Sequence, residues 1–424
     1  MRAHAPVLVL IVVVAGGIFI NALGAEFIWD DHYTIVRNEQ IRDLRRAATS
    51  FGPGYWRRIR EIGGPMAYRD YRPVQEVSFA ADYAVWGLNP AGYHITSILV
   101  HVANAVLLYF LAHRILGSRR GAAFCALLFA AHPVHVEPIV WTGARSALLA
   151  LLFMLASMLL YLRHIEHPRT RPGAVLHMAA LACFALALCS KASALVLPAV
   201  LAVYVWRFPV PGRRWAYLAL LPFVAIAAAL FALNQALPEQ TENVLRLPLR
   251  LHLLTAVGTV GVYLRLLVMP VGLCLVHHFG VPQSAWDPQV LRALPWGLAL
   301  LAGIVVAFRR SRVAFLALAW MLIAMAPVSN LVILGRPIAE PRAYVPSVGF
   351  CLLVGLLLLR LPELARARSA HTALQRLSLA LCVSTLALYS GLTVVRNLDW
   401  ADRVRLYRDT LAKNPRSATA HFNL

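Results

Sequence analysis

Residues 141–162, WTGARSALLALLFMLASMLLYL, decide the fold. Arg145 is the only charged residue in this stretch, and an apolar run of about 17–25 residues is long enough to cross the roughly 30 Å hydrocarbon core of a bilayer. Further apolar runs lie at 7–23, 92–115, 121–131, 173–190, 193–206, 216–233, 251–269, 293–308, 314–334, 345–360 and 377–395. The pattern predicts an all-α, polytopic membrane protein.

The composition supports this class and excludes others. Of the 424 residues, 60% are hydrophobic and 14% are charged, whereas a soluble domain carries roughly 25% charged residues. Secreted disulfide scaffolds, disordered tails, coiled coils and free DNA-binding domains are therefore excluded. The six cysteines lie in or beside apolar runs without a C-x-x-C motif, which is typical of small buried hydrophobic residues and gives no metal or disulfide signal.

The net charge of +21, from 40 Lys+Arg against 19 Asp+Glu, indicates membrane orientation and not a nucleic-acid partner. Many basic residues stand in short loops between apolar runs, and such loops are enriched on the cytoplasmic side. The clusters lie at 119–120, 163–171, 207–214, 309–312 and 360–376. Placing all five in the cytoplasm predicts a cytoplasmic N-terminus and a long first outer loop over residues 25–91.

The same placement requires an even number of crossings between Arg214 and Arg309. We therefore predict that 251–269 is a re-entrant or interfacial helix, which leaves 11 spanning helices and an outer C-terminus. Only Lys191 and Lys413 are lysines. This bias towards arginine indicates a GC-rich bacterial genome. We therefore predict an integral protein of the bacterial inner membrane, in which the outer C-terminus lies in the periplasm.

The two ends of the chain carry separate predictions. The run at 7–23 has no strong basic n-region and no convincing cleavage site, so it predicts a retained first helix. In the polar tail, Asn414-Pro415 is followed by spaced alanines and Asn423-Leu424, which resembles entry into a tetratricopeptide helix pair. We predict a membrane domain over 1–395 and the start of a periplasmic tetratricopeptide-repeat region over 396–424.

Asp30 and Asp31, just after the first apolar run, are the first candidate functional residues. Two adjacent carboxylates at a membrane surface repel each other, which tends to raise the pKa of one of them. A carboxyl group with a raised pKa suits a general base, and the pair would also suit a cation site. The alternative is an ordinary acidic turn between helix and loop.

The segment His132-Pro133-Val134-His135-Val136-Glu137-Pro138 is the second candidate. Histidine and glutamate at this spacing are metal-ligand types, but the two prolines argue against a regular helical site. Hydrogen bonding to a polar substrate is the favoured interpretation, with His94 and His101 on the preceding helix beside it.

Other polar groups are expected at the same outer face. Arg72 follows Tyr68-Arg69-Asp70-Tyr71, where arginine beside aromatic rings suits a phosphate or a sugar, or else forms a solvated loop. Lys191 suits a phosphate contact or a snorkelling anchor. The segment 340–347, EPRAYVPS, is short, polar and punctuated by proline, and such a segment at membrane depth lines a cavity or is buried in protein. His277-His278 are an exposed interfacial pair or part of that lining. A one-sided array of this kind suits an enzyme that acts on a charged, lipid-borne substrate.

Six motifs in order resemble one family. They are Trp29-Asp30-Asp31, Tyr71-Arg72-Pro73, Gly92-Tyr93-His94, the run His132 to Glu137, the run Trp141 to Arg145, and Glu340-x-Arg342-x-Tyr344-x-Pro346-Ser347-x-Gly349. The chain resembles the transmembrane and tetratricopeptide-repeat O-mannosyltransferases and their bacterial relatives, within the GT-C membrane glycosyltransferases. The resemblance implies a GT-C fold, a polyprenyl-phosphate sugar donor in the membrane lipid, and transfer of a mannose-like hexose to a hydroxyl acceptor, such as a protein Ser or Thr, outside the membrane.

The resemblance also implies roles for individual residues. Asp30 or Asp31 acts at the acceptor, Glu137 is a supporting second acid, and Arg342 holds the lipid phosphate. The donor and phosphate site further takes Arg72, Lys191, Glu340 and Tyr344, and the substrate lining takes His94, His132, His135, Arg145, His277 and His278. A divalent metal, Mg²⁺ or Mn²⁺, is used by some members of the superfamily and not by others, and the sequence does not decide between them.

Two departures from the family pattern keep other functions open. The family usually has Lys-Glu where this chain has Lys191-Ala192, and an acid where this chain has Ala147. These losses favour a catalytically inactive membrane anchor for a repeat domain. A transporter is the third hypothesis, but transporters place their charges near the midplane and often show internal repeats, which this sequence does not.

Overall fold

The computed structural model describes residues 2–52, 55, 71–168, 170–235, 248–331, 336–365 and 368–424. Within these ranges the regular structure is helical and no strand is formed, which confirms the all-α prediction. The α-helices are α1 (Ala5–Gly17), α2 (Leu44–Ala48), α3 (Pro73–Trp86), α4 (Pro90–Leu116), α5 (Arg119–Ala131), α6 (Val136–Val140), α7 (Arg145–His164), α8 (Arg171–Ser190), α9 (Leu197–Arg207), α10 (Arg213–Leu218), α11 (Leu221–Gln235), α12 (Leu249–Val268), α13 (Pro288–Arg310), α14 (Arg312–Met325), α15 (Pro346–Arg360), α16 (Arg368–Asp399), α17 (Arg403–Lys413) and α18 (Ala418–Asn423).

The helices make this a multi-pass integral membrane protein. In the part of the chain that the structure describes, 9 helices are long and apolar enough to cross a membrane, or 10 if α5 and the bent continuation Pro133–Val140 form one span. The prediction of about 11 spans is close to this number. Two of the expected spans, Ala192–Arg207 and Arg312–Val328, are shorter apolar helices, because a turn precedes α9 and Pro327 ends α14.

The segment 251–269 also differs from its prediction. It forms α12, a continuous helix of 20 residues that is long and apolar enough to cross a membrane. The re-entrant or interfacial assignment is therefore corrected: the helix begins two residues earlier than the apolar run, and Pro248 precedes its first turn. Arg250 lies within that turn, and Arg265 lies in the last turn of the helix.

Unit 2, one of two compact units, comprises residues 23–100 and 141–244. Its largest described apolar cluster joins α3 to the chain that follows the carboxylate pair; its members are Ile35, Ile41, Ala47, Phe79, Ala80 and Tyr93. This unit also contains the short helical turn Glu39–Arg42, which precedes α2. The expected Tyr68–Asp70 cluster lies outside the described residues.

Unit 1 comprises residues 1–22, 101–140 and 245–424. Its helices approach closely at small residues, as is common in membrane proteins. A Cβ added at Gly349 on α15 would overlap the Ala317 carbonyl oxygen and lie 2.8 Å from Met321 Cγ, both on α14. The polar tail forms α17 and α18 within this unit, and Arg396 at the end of α16 pairs with Asp409 of α17 at 2.6 Å.

We expect Gly349→Ala to destabilise the protein by about 1–3 kcal/mol, because the added methyl group overpacks the contact between α14 and α15. The measurement is the unfolding midpoint of the purified protein in detergent. Gly297→Ala in α13 is the matched control, since a Cβ there meets nothing within 4 Å and alanine favours the helix. Equal midpoints for the two variants would contradict the close packing at Gly349.

Candidate active site

Trp29 sets the direction of the chain that carries the carboxylate pair, Asp30 and Asp31. Its φ is 55°, a left-handed conformation that is uncommon for a residue other than glycine and that persists where the surroundings enforce it. Its ring lies 4.9 Å from the ring of Trp141, and Trp141 Nε1–H donates to Asp30 Oδ1 at 2.9 Å. The two tryptophans therefore stabilise the strained turn and fix the first carboxylate.

Asp31 is fully buried, and backbone N–H groups supply its hydrogen bonds. Gly143 N–H donates to Oδ1 at 2.7 Å and Ile28 N–H donates to Oδ2 at 3.3 Å. Burial disfavours the charged form and the neighbouring Asp30 repels it, so the pKa of Asp31 is raised well above its usual value although these hydrogen bonds oppose the shift. A raised pKa makes the Asp31 carboxylate a stronger base, which suits the transfer of a proton from an acceptor hydroxyl.

The turn Thr142–Ala144 brings Gly143 to the carboxylate pair. Its carbonyl accepts from Gln75 Nε2 at 2.8 Å, so both sides of this peptide segment are held. A Cβ at Gly143 would lie 2.8 Å from Trp141 Nε1 and 3.1 Å from Asp30 Oδ1. Glycine is required here because the backbone approaches both groups too closely for any side chain.

Arg145, which sequence patterns assign to the substrate lining, is fully buried and engaged inside unit 2. Its guanidinium pairs with Asp82 at 2.5 Å, donates to the Tyr93 carbonyl at 2.7 Å and to Ser97 Oγ at 3.2 Å, and lies 4.9 Å from the Phe79 ring. These contacts join α3, α4 and α7 and make Arg145 a positioning residue in this arrangement. Asp82, which sequence reasoning missed, is the carboxylate partner of Arg145.

Three further predicted residues lie in unit 2. His94 is buried, and its Nε2 bonds the Ala25 carbonyl at 3.0 Å, which ties α4 to the chain before the carboxylate pair. Arg72 is half-buried at the start of α3, and Lys191 is half-buried at the end of α8. Tyr71 packs against Cys189. Arg72 follows Tyr71 in the chain and Lys191 lies two positions after Cys189, so this contact brings the two basic residues into the same region of unit 2.

In unit 1, a bend between two helical segments positions Glu137. α5 ends at Ala131, and the continuation from Pro133 is bent by 51°, because proline cannot extend the hydrogen-bonding pattern of the preceding helix. Glu137 in α6 is fully buried and receives two parallel hydrogen bonds from Arg336, at 2.5 and 2.9 Å. Sequence analysis missed Arg336, whose position in the polar stretch before Glu340 is the only signal it offers.

Glu340 is the centre of a second charged cluster, together with Cys274 and His277. Its Oε1 accepts from Cys274 N–H at 2.8 Å and from His277 Nε2 at 3.1 Å. Burial opposes the charge on His277, but hydrogen bonds to Cys274 and Glu340 outweigh burial and raise its pKa to about 9. Burial likewise opposes the charge on Glu340, but His277 and Arg396 outweigh it and lower its pKa. The pair is therefore ionic at neutral pH.

Arg342 and Tyr344 flank this cluster in the chain. Arg342 is half-buried, and its Nη1 donates to the Arg336 carbonyl at 2.5 Å and to the Pro337 carbonyl at 3.1 Å. Tyr344 is buried, with its hydroxyl 2.7 Å from His101 Nδ1. Arg342 therefore retains partial exposure, while Tyr344 takes part in the packing of unit 1.

The predicted histidines of unit 1 differ in their surroundings. His132 Nε2 bonds the Leu267 carbonyl at 2.9 Å, and His135 bonds the Phe129 carbonyl at 2.8 Å and Ser347 Oγ at 3.0 Å. Both are buried and bridge neighbouring elements, whereas His278 is exposed.

A divalent metal has no prepared set of ligands in the described ranges. No group of three or more His, Cys, Asp or Glu side chains lies close enough together there to hold a metal ion. The histidines beside Glu137 make hydrogen bonds within the protein instead.

Comparisons with known proteins show which families and folds the chain is similar to. Residues 62–238 match the dolichyl-phosphate-mannose-protein mannosyltransferase family. The chain is 26% identical over 420 residues to Protein O-mannosyl-transferase F38B6.6 of Caenorhabditis elegans, a match that covers 96% of this chain and 57% of that protein. It is 23% identical over 476 residues to Protein O-mannosyl-transferase TMTC4 of Mus musculus, covering 96% and 62%. The resemblance predicted from the motifs is confirmed.

The chain spans about three fifths of the length of these two relatives. Among solved structures, it is similar to the archaeal oligosaccharyltransferase AglB from Archaeoglobus fulgidus, in complex with an inhibitory peptide and a dolichol-phosphate. The TM-score is 0.51 at 15% identity, over 94% of this chain and 56% of that one. The fold is that of the GT-C membrane glycosyltransferases.

We expect the stability gained by Asp31→Asn to grow as the pH rises. A carboxyl group whose pKa is raised by folding binds its proton more tightly in the folded state. The wild-type protein therefore loses stability as the pH rises from about 4, where the unfolded side chain titrates, through the raised pKa of the folded one. Asparagine does not titrate, so the difference in melting temperature between variant and wild type should shift in favour of the variant over that window.

Asp43→Asn is the control, because its effect on stability should change with pH in the opposite direction. Asp43 is exposed, and the hydrogen bond from Arg46 N–H lowers its pKa, so its contribution is present at neutral pH and is lost as the pH falls. Melting temperatures measured from pH 4 to pH 8 test both. A pH-independent difference for Asp31→Asn would show that the carboxyl group does not titrate as its burial requires.

Proposed function

We propose that the protein is a glycosyltransferase that moves a mannose-like hexose from a polyprenyl-phosphate sugar to a hydroxyl acceptor, in the first instance a protein Ser or Thr. The observation that carries this proposal is the buried pair of Asp30 and Asp31. The pair is held by Gly143 and Trp141 at a strained turn, and buried groups with perturbed pKa values concentrate at functional sites. The names of the relatives support the mannose and the protein acceptor.

The chemistry needs a base more than it needs an acid. A carboxylate of the pair takes the proton of the acceptor hydroxyl, and the acceptor oxygen forms a bond to the anomeric carbon. The bond from that carbon to the donor phosphate breaks, and the electron pair leaves with polyprenyl phosphate, which already is a good leaving group. Attack from the side opposite the phosphate inverts the anomeric centre.

Arg342 is the proposed ligand of the donor phosphate. Its two hydrogen bonds to backbone carbonyls fix the guanidinium in one orientation, and a planar fork held in this way suits two oxygens of a phosphate. Arg72 and Lys191 are further candidates for the phosphate. Glu340 supports this region through His277, and Glu137 supports it through Arg336.

An inactive membrane anchor is the alternative that the lost acids favour. Arg145 itself keeps a carboxylate partner, Asp82 at 2.5 Å, although position 147 is an alanine. Hexose transfer by the purified protein decides between an enzyme and an anchor.

We expect Asn at the base position of the carboxylate pair to lower turnover by roughly 10²–10⁴, the usual worth of general base catalysis. Donor affinity should stay nearly unchanged, because the base acts on the acceptor. The assay is hexose transfer from a polyprenyl-phosphate sugar to a Ser/Thr peptide by purified Asp30→Asn, Asp31→Asn and double variants. If Asp31 is the base, wild-type turnover rises with pH through its raised pKa, and Asp30→Asn moves that rise to lower pH by removing one cause of the shift.

Asp43→Asn serves again as the matched control, because it removes an exposed carboxylate of the same loop and should leave turnover unchanged. If all three variants of the pair keep the full turnover of the wild type, the pair is not the base. A wild-type protein that transfers no hexose from any polyprenyl-phosphate donor would support the inactive anchor.

We further propose a bacterial inner membrane location, with the N-terminus in the cytoplasm and the tail in the periplasm. The odd number of spans expected from the sequence places the two ends on opposite faces. We expect reporter fusions after Arg120 to read cytoplasmic, as its basic loop requires, and fusions at Ala420 to read periplasmic. A cytoplasmic reading at Ala420 would show an even number of crossings, as with the tenth span formed by Arg119–Ala131 and Pro133–Val140.

A further inference from the structure

The loop 271–278, between α12 and α13, supplies both described hydrogen-bond donors of Glu340 Oε1. These are the backbone N–H of Cys274 and the Nε2 of His277. Glu340 is fully buried, so the position of its carboxylate depends on the conformation of this loop. The loop has no regular secondary structure of its own, and other elements must hold it.

The end of α17 makes two hydrogen bonds to this loop. Lys413 Nζ donates to the Leu273 carbonyl at 2.7 Å, and Asn414 Nδ2 donates to the Val276 carbonyl at 3.1 Å. The Leu273 carbonyl precedes Cys274 and the Val276 carbonyl precedes His277, and these two following residues are the ones that bond Glu340.

The peptide group between Leu273 and Cys274 is therefore held from both sides. Its carbonyl accepts from the Lys413 ammonium while its N–H donates to the Glu340 carboxylate. A cation at the carbonyl polarises the planar peptide group and makes its N–H a better donor to an anion. Lys413 thus acts on Glu340 through one peptide group, without touching it.

The tail helix is itself anchored independently of the loop. Asp409 of α17 pairs with Arg396 of α16 at 2.6 Å, and with Lys413 at 2.6 Å. Leu406 and Tyr407 of α17 are buried. The Arg396 contact fixes α17 on unit 1 even when Lys413 is replaced, so the contribution of Lys413 to the loop is separable from the docking of the helix.

We propose that Lys413 and Asn414 are positioning residues that clamp the loop 271–278 and thereby place Glu340. The tail is then a working part of unit 1, and its displacement changes the charged cluster around Glu340. The effect of the clamp on hexose transfer rests on the proposed function, whereas the clamp itself does not.

Cys274 offers a direct probe of the clamp. Its side chain is 3% exposed, so a maleimide should react slowly with it in the wild-type protein. In the double variant Lys413→Met, Asn414→Ala we expect labelling of Cys274, followed by peptide mass spectrometry, to accelerate by about tenfold to hundredfold, the equilibrium effect of losing a hydrogen bond to a charged donor. Lys413→Arg keeps a cationic donor and should restore most of the protection.

Arg408→Met is the matched control, because Arg408 is an exposed cation of the same helix. Unchanged labelling in the double variant, or equal acceleration in Arg408→Met, would overturn the clamp. In parallel, hexose transfer from the polyprenyl-phosphate donor should fall in the double variant and be restored in part by Lys413→Arg; faster labelling with unchanged transfer would overturn the positioning role. A wild-type protein without transfer would refute the proposed function while the labelling result still decides the clamp.

Discussion

Each charge that this protein buries among its helices needs a hydrogen-bonded partner, because an unpaired ion in such surroundings costs several kcal/mol. The contacts Arg145–Asp82 and Glu137–Arg336 meet this requirement with ion pairs of 2.5 Å. Asp31 departs from this pattern, since its hydrogen bonds come from neutral N–H groups and its neighbour is another carboxylate. The fold tolerates a raised pKa there, which is the reason for placing the chemistry at this pair.

Interruptions of the helices bring the polar groups together. Pro133 ends the helical hydrogen bonding before Glu137, the turn Thr142–Ala144 presents the Gly143 N–H to Asp31, and the turn Glu340–Ala343 precedes α15. Irregular backbone in a membrane protein must find its hydrogen bonds inside the protein. In this protein, the backbone groups at the interruptions form hydrogen bonds with the candidate functional side chains. The same hydrogen bonds therefore stabilise the irregular backbone and position the site.

The lengths of the apolar helices show where sequence patterns mislead. Hydropathy identified every apolar segment, but it did not distinguish the longer helices from the shorter ones at 192–207 and 312–328, because helix length depends on where the turns fall. The even number of crossings required between Arg214 and Arg309 led to the re-entrant prediction for α12. The structure shows α12 as one continuous helix of 20 residues.

The sequence by itself determined the class of protein, the resemblance to the O-mannosyltransferases and the adjacency of Asp30 and Asp31, because hydropathy, motif order and neighbouring charges are properties of the chain. Only the tertiary structure decided which charges meet. Arg336 lies 199 positions from Glu137, and Arg145 turns to Asp82 and not to an acid beside it. Such pairs depend on which helices pack together, and packing is decided by the shapes and small residues of many helices at once, which no local pattern in the chain contains.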